Sequence, residues 1–384
     1  KNLGFLYTNT FGDSLQFKIE TKPKEFASYV KLKYSPSEKF IFEPGLRINL
    51  YNVYSDSIFP DLRLGMKYLL TDNRYLNFSL GNYHQFIATF QDDYNPTILD
   101  QWIAVDNSIA PAKSSQIVLG YEEYLNNLYK FQIEGYYKDI KNLFTFEESR
   151  ATTDEAISDS ALADIVTPSN GYAYGLELFA QKMRGRLSGW FAYTFSISRK
   201  TMNSIFYEAE EEYYNAWDRT HSFSALGNYL INRKWDMNWK LSLQSGQAYT
   251  PIIGYYNQIL PEGPDEVYRT IPGTRNSARY DPYSRLDLGI VYHTKLFGSK
   301  MDIYVQVINV FNRKNTFRKT YNVGSIYNGI DDDGDWDEDK HDSNGNGKPD
   351  VGEQNVDELD EGSLQINKIS LFPIIPTIGF SWEF

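Results

Sequence analysis

At 384 residues the chain exceeds a usual single domain, yet no shift in composition marks a seam between two packed cores. It has no Cys, which excludes a disulfide framework and a thiolate metal site, and no run of roughly 18 apolar residues, which excludes a membrane-crossing helix. The net charge of −12 is confined to Asp331–Gly362, where 14 acidic and 2 basic residues fall; elsewhere the charges cancel and leave no basic stripe for nucleic acid.

The chain opens on Lys1-Asn2-Leu3-Gly4-Phe5, which reads as the inside of a strand rather than as a leader. Strands are expected at 3–11, 14–20, 25–35, 38–54, 60–70, 74–90, 114–124, 127–146, 170–182, 186–199, 219–231, 236–249, 284–295, 299–323 and 373–384. Alternation is plain where Leu62, Leu64, Met66, Tyr68 and Leu70 oppose Arg63, Gly65, Lys67 and Leu69. It recurs where Gly189, Phe191, Tyr193, Phe195 and Ile197 oppose Ser188, Trp190, Ala192, Thr194 and Ser196, and where Leu286, Leu288, Ile290 and Tyr292 oppose Asp287, Gly289, Val291 and His293. One apolar face fits either a sandwich core or a lipid-facing barrel wall. Length favours the second, since a tilted membrane strand needs roughly 9–11 residues and soluble strands are usually shorter. The joins favour it further. Short turns near 36–37, 71–73, 126, 183–185, 232–235 and 296–299 alternate with longer connections, and from mid-chain on these are long loops. A Greek-key sandwich would mix both kinds at both ends. The expectation is an all-β, transmembrane, antiparallel up-and-down β-barrel with long extracellular loops.

Fifteen strands is an odd number, whereas a bacterial barrel starts and ends in the periplasm with an even one. The chain is therefore expected to begin inside the barrel. Its last residues place Ile378, Phe380, Trp382 and Phe384 on one face. Thr377, Gly379, Trp382 and Phe384 are similar to the C-terminal signal by which outer-membrane barrels are handed to the barrel assembly machinery.

Several stretches resemble the barrel of TonB-dependent receptors. They are Pro60-Asp-Leu-Arg-Leu-Gly65, Ser115-Gln-Ile-Val-Leu-Gly-Tyr121, Tyr136-Tyr-Lys-Asp-Ile140, Gly175-Leu-Glu-Leu178, Trp217-Asp-Arg-Thr-His221, Ser245-Gly-Gln-Ala-Tyr-Thr-Pro251, Arg285-Leu-Asp-Leu288 and Val307-Ile-Asn-Val-Phe-Asn312. Their order and separations carry the resemblance over nearly the whole chain, 1–384. It implies a barrel of roughly 22 strands, with the plug domain and first strands missing. It also implies a Gram-negative outer-membrane location, contacts with lipid and lipopolysaccharide, and engagement of TonB only through the missing plug.

The acidic segment 328–362 is an insertion between the last two strands. Asp342-Ser-Asn344-Gly-Asn346-Gly347-Lys348-Pro-Asp350-Val-Gly-Glu353 fits the calcium-loop template. Asp342, Asn344, Asn346, Asp350 and Glu353 offer side-chain oxygens, Lys348 a backbone carbonyl, and Gly347 the sharp turn. Asp331, Asp333, Asp335 and Asp337 form a degenerate first half without the turn Gly. Calcium is the expected cofactor, bound to stiffen a surface loop.

His84, His221, His293 and His341 are far apart, and no nucleophile–base order or zinc spacing emerges, so no enzyme is expected. The expected function is TonB-dependent uptake of a metal chelate, vitamin or oligosaccharide. Trp102, Tyr213, Tyr214, Tyr255 and Tyr256 in the long loops are candidates to stack on the ligand. Two alternatives stand beside it: a passive porin, and a surface adhesion protein held by calcium.

Overall fold

Alternating segments fold as extended strands because a period of two lets one face stay apolar while the other carries charge. The computed structural model describes residues 2–8, 14–20, 23–52, 58–90, 101–105, 109–146, 166–203, 210–259, 266–323, 342, 345–347 and 364–383. No helix occurs among them.

β1 (Asn2–Thr8) and β2 (Ser14–Glu20) pair with each other. The main sheet then follows chain order through β3 (Glu25–Lys31), with β4 (Tyr34–Ser37) at its side, β5 (Phe40–Tyr51), β6 (Ile58–Thr71) and β7 (Arg74–Gln85). After the separate hairpin of β8 (Ile87–Phe90) and β9 (Gln101–Ala104) come β10 (Ala112–Leu125), β11 (Tyr129–Phe146), β12 (Val166–Lys182) and β13 (Leu187–Asn203). β14 (Glu210–Tyr214) pairs with the far end of β13, and β15 (His221–Leu230) and β16 (Trp235–Gln244) continue the sheet. Next are the short pair β17 (Ala248–Tyr249) and β20 (Ala278–Arg279), which enclose the hairpin of β18 (Ile252–Ile259) and β19 (Glu266–Pro272). β21 (Tyr283–Leu296) and β22 (Ser299–Ile308) rejoin the sheet. β23 (Thr316–Val323) pairs with β24 (Leu364–Ser370), and β25 (Ile375–Trp382) closes the order beside β22. Every neighbour in the main sheet is antiparallel, and every expected strand has a counterpart.

Two compact units result. Lys1–Thr250, Thr274–Asn315 and Leu371–Phe384 hold the main sheet. Pro251–Gly273 and Thr316–Ser370 hold the hairpins β18–β19 and β23–β24, with β19 against β23.

Cross-strand register keeps the two faces distinct. Leu64, Leu80, Ile117, Tyr137 and Tyr174 line up across five strands on one face. That face is bare: Leu62 is 62%, Leu119 61% and Phe380 70% exposed. The opposite face buries charge instead, with Asp61 only 2% exposed. Asp61 accepts from Asn49 Nδ2 at 3.0 Å and hydrogen-bonds His84 Nδ1 at 2.6 Å. Lys67 and Lys130 flank Glu122 at 3.6 and 3.8 Å. A sheet that is apolar outside and polar inside is stable where its outer solvent is hydrocarbon.

Four expected strands end sooner than the alternation suggests, the one at 25–35 breaking at Leu32–Lys33 between β3 and β4. The one at 74–90 breaks at Phe86, whose ring stacks on Tyr51 at 4.7 Å in a small core with Val105. The one at 236–249 breaks at Ser245–Gln247. The one at 299–323 breaks after Ile308, because Asn309 and Asn312 take left-handed backbone (φ 54° and 47°). Asn309 is fully buried there, donating from Nδ2 to the carbonyls of Arg313 (3.1 Å) and Phe372 (3.0 Å). The acidic segment is accordingly carried between β23 and β24, inside the connection from β22 to β25.

Candidate functional site: the arginine–tyrosine rim

Short turns gather at one end of the strands, so the other end carries every long connection. There β13, β14, β15, β16 and the β17–β20 pair meet in a cluster of arginine, tyrosine and amide groups. Its centre is Asp218, whose side chain is wholly buried. One oxygen meets Arg279 Nη2 at 2.6 Å and the other accepts the Ser198 N–H at 2.7 Å. Arg279 also donates to the carbonyls of Asp218 (2.9 Å) and Gly246 (3.2 Å). Next to it, Arg219 donates to the side-chain oxygens of Gln244 and Gln247. Burial lowers the Arg219 pKa from its ordinary value, against a smaller opposing pull from Tyr283.

The clamp explains why the sequence reads as it does locally. A Cβ on Gly246 would lie 1.7 Å from the Tyr280 carbonyl oxygen, so only glycine allows the two segments to meet. Tyr249 stacks on Tyr280 at 4.3 Å, and the Asn276 N–H donates to Thr250 Oγ1 at 3.0 Å. Arg285 Nε donates to Asp287 at 2.7 Å, and Asp287 accepts the Asn309 N–H at 2.9 Å. Three of the quoted stretches, around Asp218, Gly246 and Asp287, are therefore braces of the rim.

Tyr213 and Tyr214 lie in this cluster. Arg199 and Arg279 sit over the Tyr214 ring at 4.0 and 4.5 Å, and Arg275 over Tyr213 at 5.0 Å. Tyr213 is 3% exposed and its hydroxyl pairs with Thr145 Oγ1 at 3.2 Å, so its ring packs the rim instead of facing a ligand. The three arginines were missed by sequence reasoning; Thr274-Arg275-Asn-Ser-Ala-Arg279 was the available signal. Trp102 stands on β9, 61% exposed and away from this cluster. Tyr255 and Tyr256 lie on β18 in the other compact unit, with Tyr256 exposed.

Of the calcium candidates, Asp342 and Asn346 are described. Asp342 accepts N–H groups from Gly345 (2.6 Å), Asn346 (3.1 Å) and Gly347 (2.6 Å), with both glycines at φ 71°. Asp331, Asp333, Asp335, Asp337, Asn344, Lys348, Asp350 and Glu353 lie outside the described residues, as do His341 and Phe384. Among the described residues no group of three His, Asp or Glu is placed to hold a metal. In the C-terminal signal, Thr377, Gly379 and Trp382 lie on β25; Ile378 and Phe380 point out from the apolar face.

The sequence model of a family described as TonB dependent receptor-like, beta-barrel matches residues 3–312. Among curated proteins, no sequence match is found. Solved structures are similar in fold. The ferripyoverdine receptor of the Pseudomonas aeruginosa outer membrane, bound to ferripyoverdine, has a TM-score of 0.53 at 15% identity, covering 80% of this chain and 37% of that one. The FrpB iron transporter from Neisseria meningitidis has 0.51 at 14%, covering 76% and 42%. A mutant of the ferric enterobactin receptor from Pseudomonas aeruginosa has 0.51 at 13%, covering 79% and 41%. The chain thus spans about two-fifths of the length of these relatives.

Proposed function

This chain belongs to the TonB-dependent receptor-like β-barrel family, whose place is the Gram-negative outer membrane, and from that premise we propose that it takes up a scarce nutrient, with a metal chelate as the favoured cargo. The observation that carries the reading is a polar inner wall beneath a rim of long connections braced by Arg199, Arg275 and Arg279. The names of the relatives point to iron chelates, against the vitamin and oligosaccharide alternatives. Trp102 and Tyr256 each present an exposed ring on which such a ligand can stack. In this reading TonB acts through a plug domain, lipid and lipopolysaccharide cover the apolar face, and the assembly machinery reads β25.

The test is saturable binding of a panel of ferric chelates, cobalamin and maltodextrins, followed by uptake with and without TonB. Micromolar binding of a ferric chelate, and uptake that stops without TonB, are the expected results. Solute passage that is unsaturable and indifferent to TonB would make the protein a porin.

The 342–353 loop binds calcium in this reading, with Asp342, Asn344, Asn346, Asp350 and Glu353 as side-chain ligands and Lys348 supplying its carbonyl. The three N–H groups that orient the Asp342 carboxylate support it, because a first ligand so fixed loses little freedom on binding. Extracellular calcium sites fill at Kd values of roughly 10⁻⁴–10⁻³ M. Calorimetry on the intact protein should give heat in that range, and Glu353→Ala should remove it. Heat unchanged by Glu353→Ala, or none at millimolar calcium, counts against the loop.

A further inference from the structure

On the apolar face, just inside the short-turn rim, a groove of about 450 Å³ runs over β12, β13 and β15. Its floor follows from register. Lys182, Gly189, Gly227 and Trp239 align across four strands, and one row further in Ala180, Phe191 and Ala225 align. No side chain fits on the glycine pair. A Cβ on Gly189 would meet the Leu226 carbonyl oxygen at 2.2 Å, and one on Gly227 would meet the Trp239 ring at 2.4 Å. Tyr129 and Phe131 form one wall, Trp239 the other, and the lining is almost wholly apolar.

At the mouth of the groove Lys182 ends β12, and the turn 183–186 that follows carries Arg184 and Arg186. The two guanidiniums are held by backbone carbonyls of neighbouring turns: Arg184 Nη2 donates to Asn127 O and Arg186 Nη2 to Ile231 O, each at 3.0 Å. Among the described residues no carboxylate pairs with any of the three. Other short turns are compensated: Arg74 pairs with Glu123 at 2.8 Å, and Lys300 with Glu383 at 3.9 Å. A guanidinium has five N–H donors, so donors remain after each carbonyl contact. The adjacent turn adds Arg233 and Lys234.

We infer that this groove is a binding site for one glycerophospholipid of the periplasmic leaflet, its phosphodiester on Lys182, Arg184 and Arg186 and one acyl chain along Gly189, Ala180 and Ala225. Three observations select this occupant over a second copy of the chain. The groove opens on the face that hydrocarbon covers, its mouth lies at headgroup level, and three uncompensated cations call for an anion there. The inference rests on the membrane-facing assignment of the sheet and is independent of what the protein transports.

The protein is extracted from the outer membrane in mild detergent, stripped of lipid and titrated with phosphatidylglycerol under native mass spectrometry. Wild type should retain one phospholipid. Lys182→Ser/Arg184→Ser/Arg186→Ser should weaken retention roughly tenfold or more, and Ala225→Phe, which fills the floor, should do so with the cations intact. Both variants should keep the fast gel mobility of an unheated folded barrel. If Ala225→Phe does not fold, the turn variant carries the test alone, since Arg184 and Arg186 are on an exposed turn and Lys182 is the last residue of its strand. Retention equal to wild type in the turn variant, or no lipid held by wild type, overturns the inference. So does a dimer that Ala225→Phe dissociates, which would make the groove an interface between copies.

Discussion

Asp218→Ala should cost about 3–5 kcal/mol of folding free energy, the penalty for removing one partner of a buried ion pair. The loss is of that size because the carboxylate does several things at once. It neutralises Arg279, accepts the Ser198 N–H, and fixes the turn that presents Arg219 to Gln244 and Gln247. Arg279 is about a third exposed, so water takes up part of its charge and the lower end of the range is expected. Denaturant unfolding of the protein in vesicles measures the change. The double variant Asp218→Ala/Arg279→Ala should cost less than the sum of the two singles, because no unpaired charge is left behind. Strict additivity would show that the pair is not a clamp, and a loss under 1 kcal/mol for the single variant would show the same.

Leu119→Arg should cost about 2–4 kcal/mol, the measured scale for a cation at the midplane of a barrel's lipid face. Leu119 sits midway along β10, 61% exposed, flanked in register by Phe78 and Gly135. No inner-face acid can reach it. The matching control is Gln132→Arg on β11, whose cross-strand partner is Glu122 on the polar face. That variant should be close to neutral. Equal penalties at the two positions would mean that both faces see the same solvent, and the lipid-facing assignment would fall.

The strands were legible because each carries its own answer. Leu62-Arg63-Leu64-Gly65-Met66-Lys67 can satisfy an apolar and a polar environment only as an extended segment between them. Where strands stop was less legible, because Val307-Ile308-Asn309-Val310-Phe311 continues the apolar alternation straight through the break. What ends the strand is the left-handed Asn309 and the Phe372 carbonyl that its side chain reaches, 63 residues away. The rim shows the same limit. Tyr213 and Tyr214 read in the sequence as loop aromatics, but the arginines that enclose them come from β13 and from the segment before β21. Asp218 and Arg279 are 61 residues apart, and nothing in either neighbourhood names the other. Burial of Tyr213 follows from that long-range closure, which local pattern does not encode.

The absence of Cys allows the central claim, a sheet with lipid on one side and water on the other, to be read directly. Single cysteines at positions 62, 63, 64, 66, 67 and 68 of β6, spin-labelled in vesicles, report collision rates with oxygen, which prefers lipid, and with a water-soluble nickel chelate. Oxygen should prevail at 62, 64, 66 and 68 and the nickel chelate at 63 and 67. High nickel access at the even positions, or no alternation along the strand, would contradict the account.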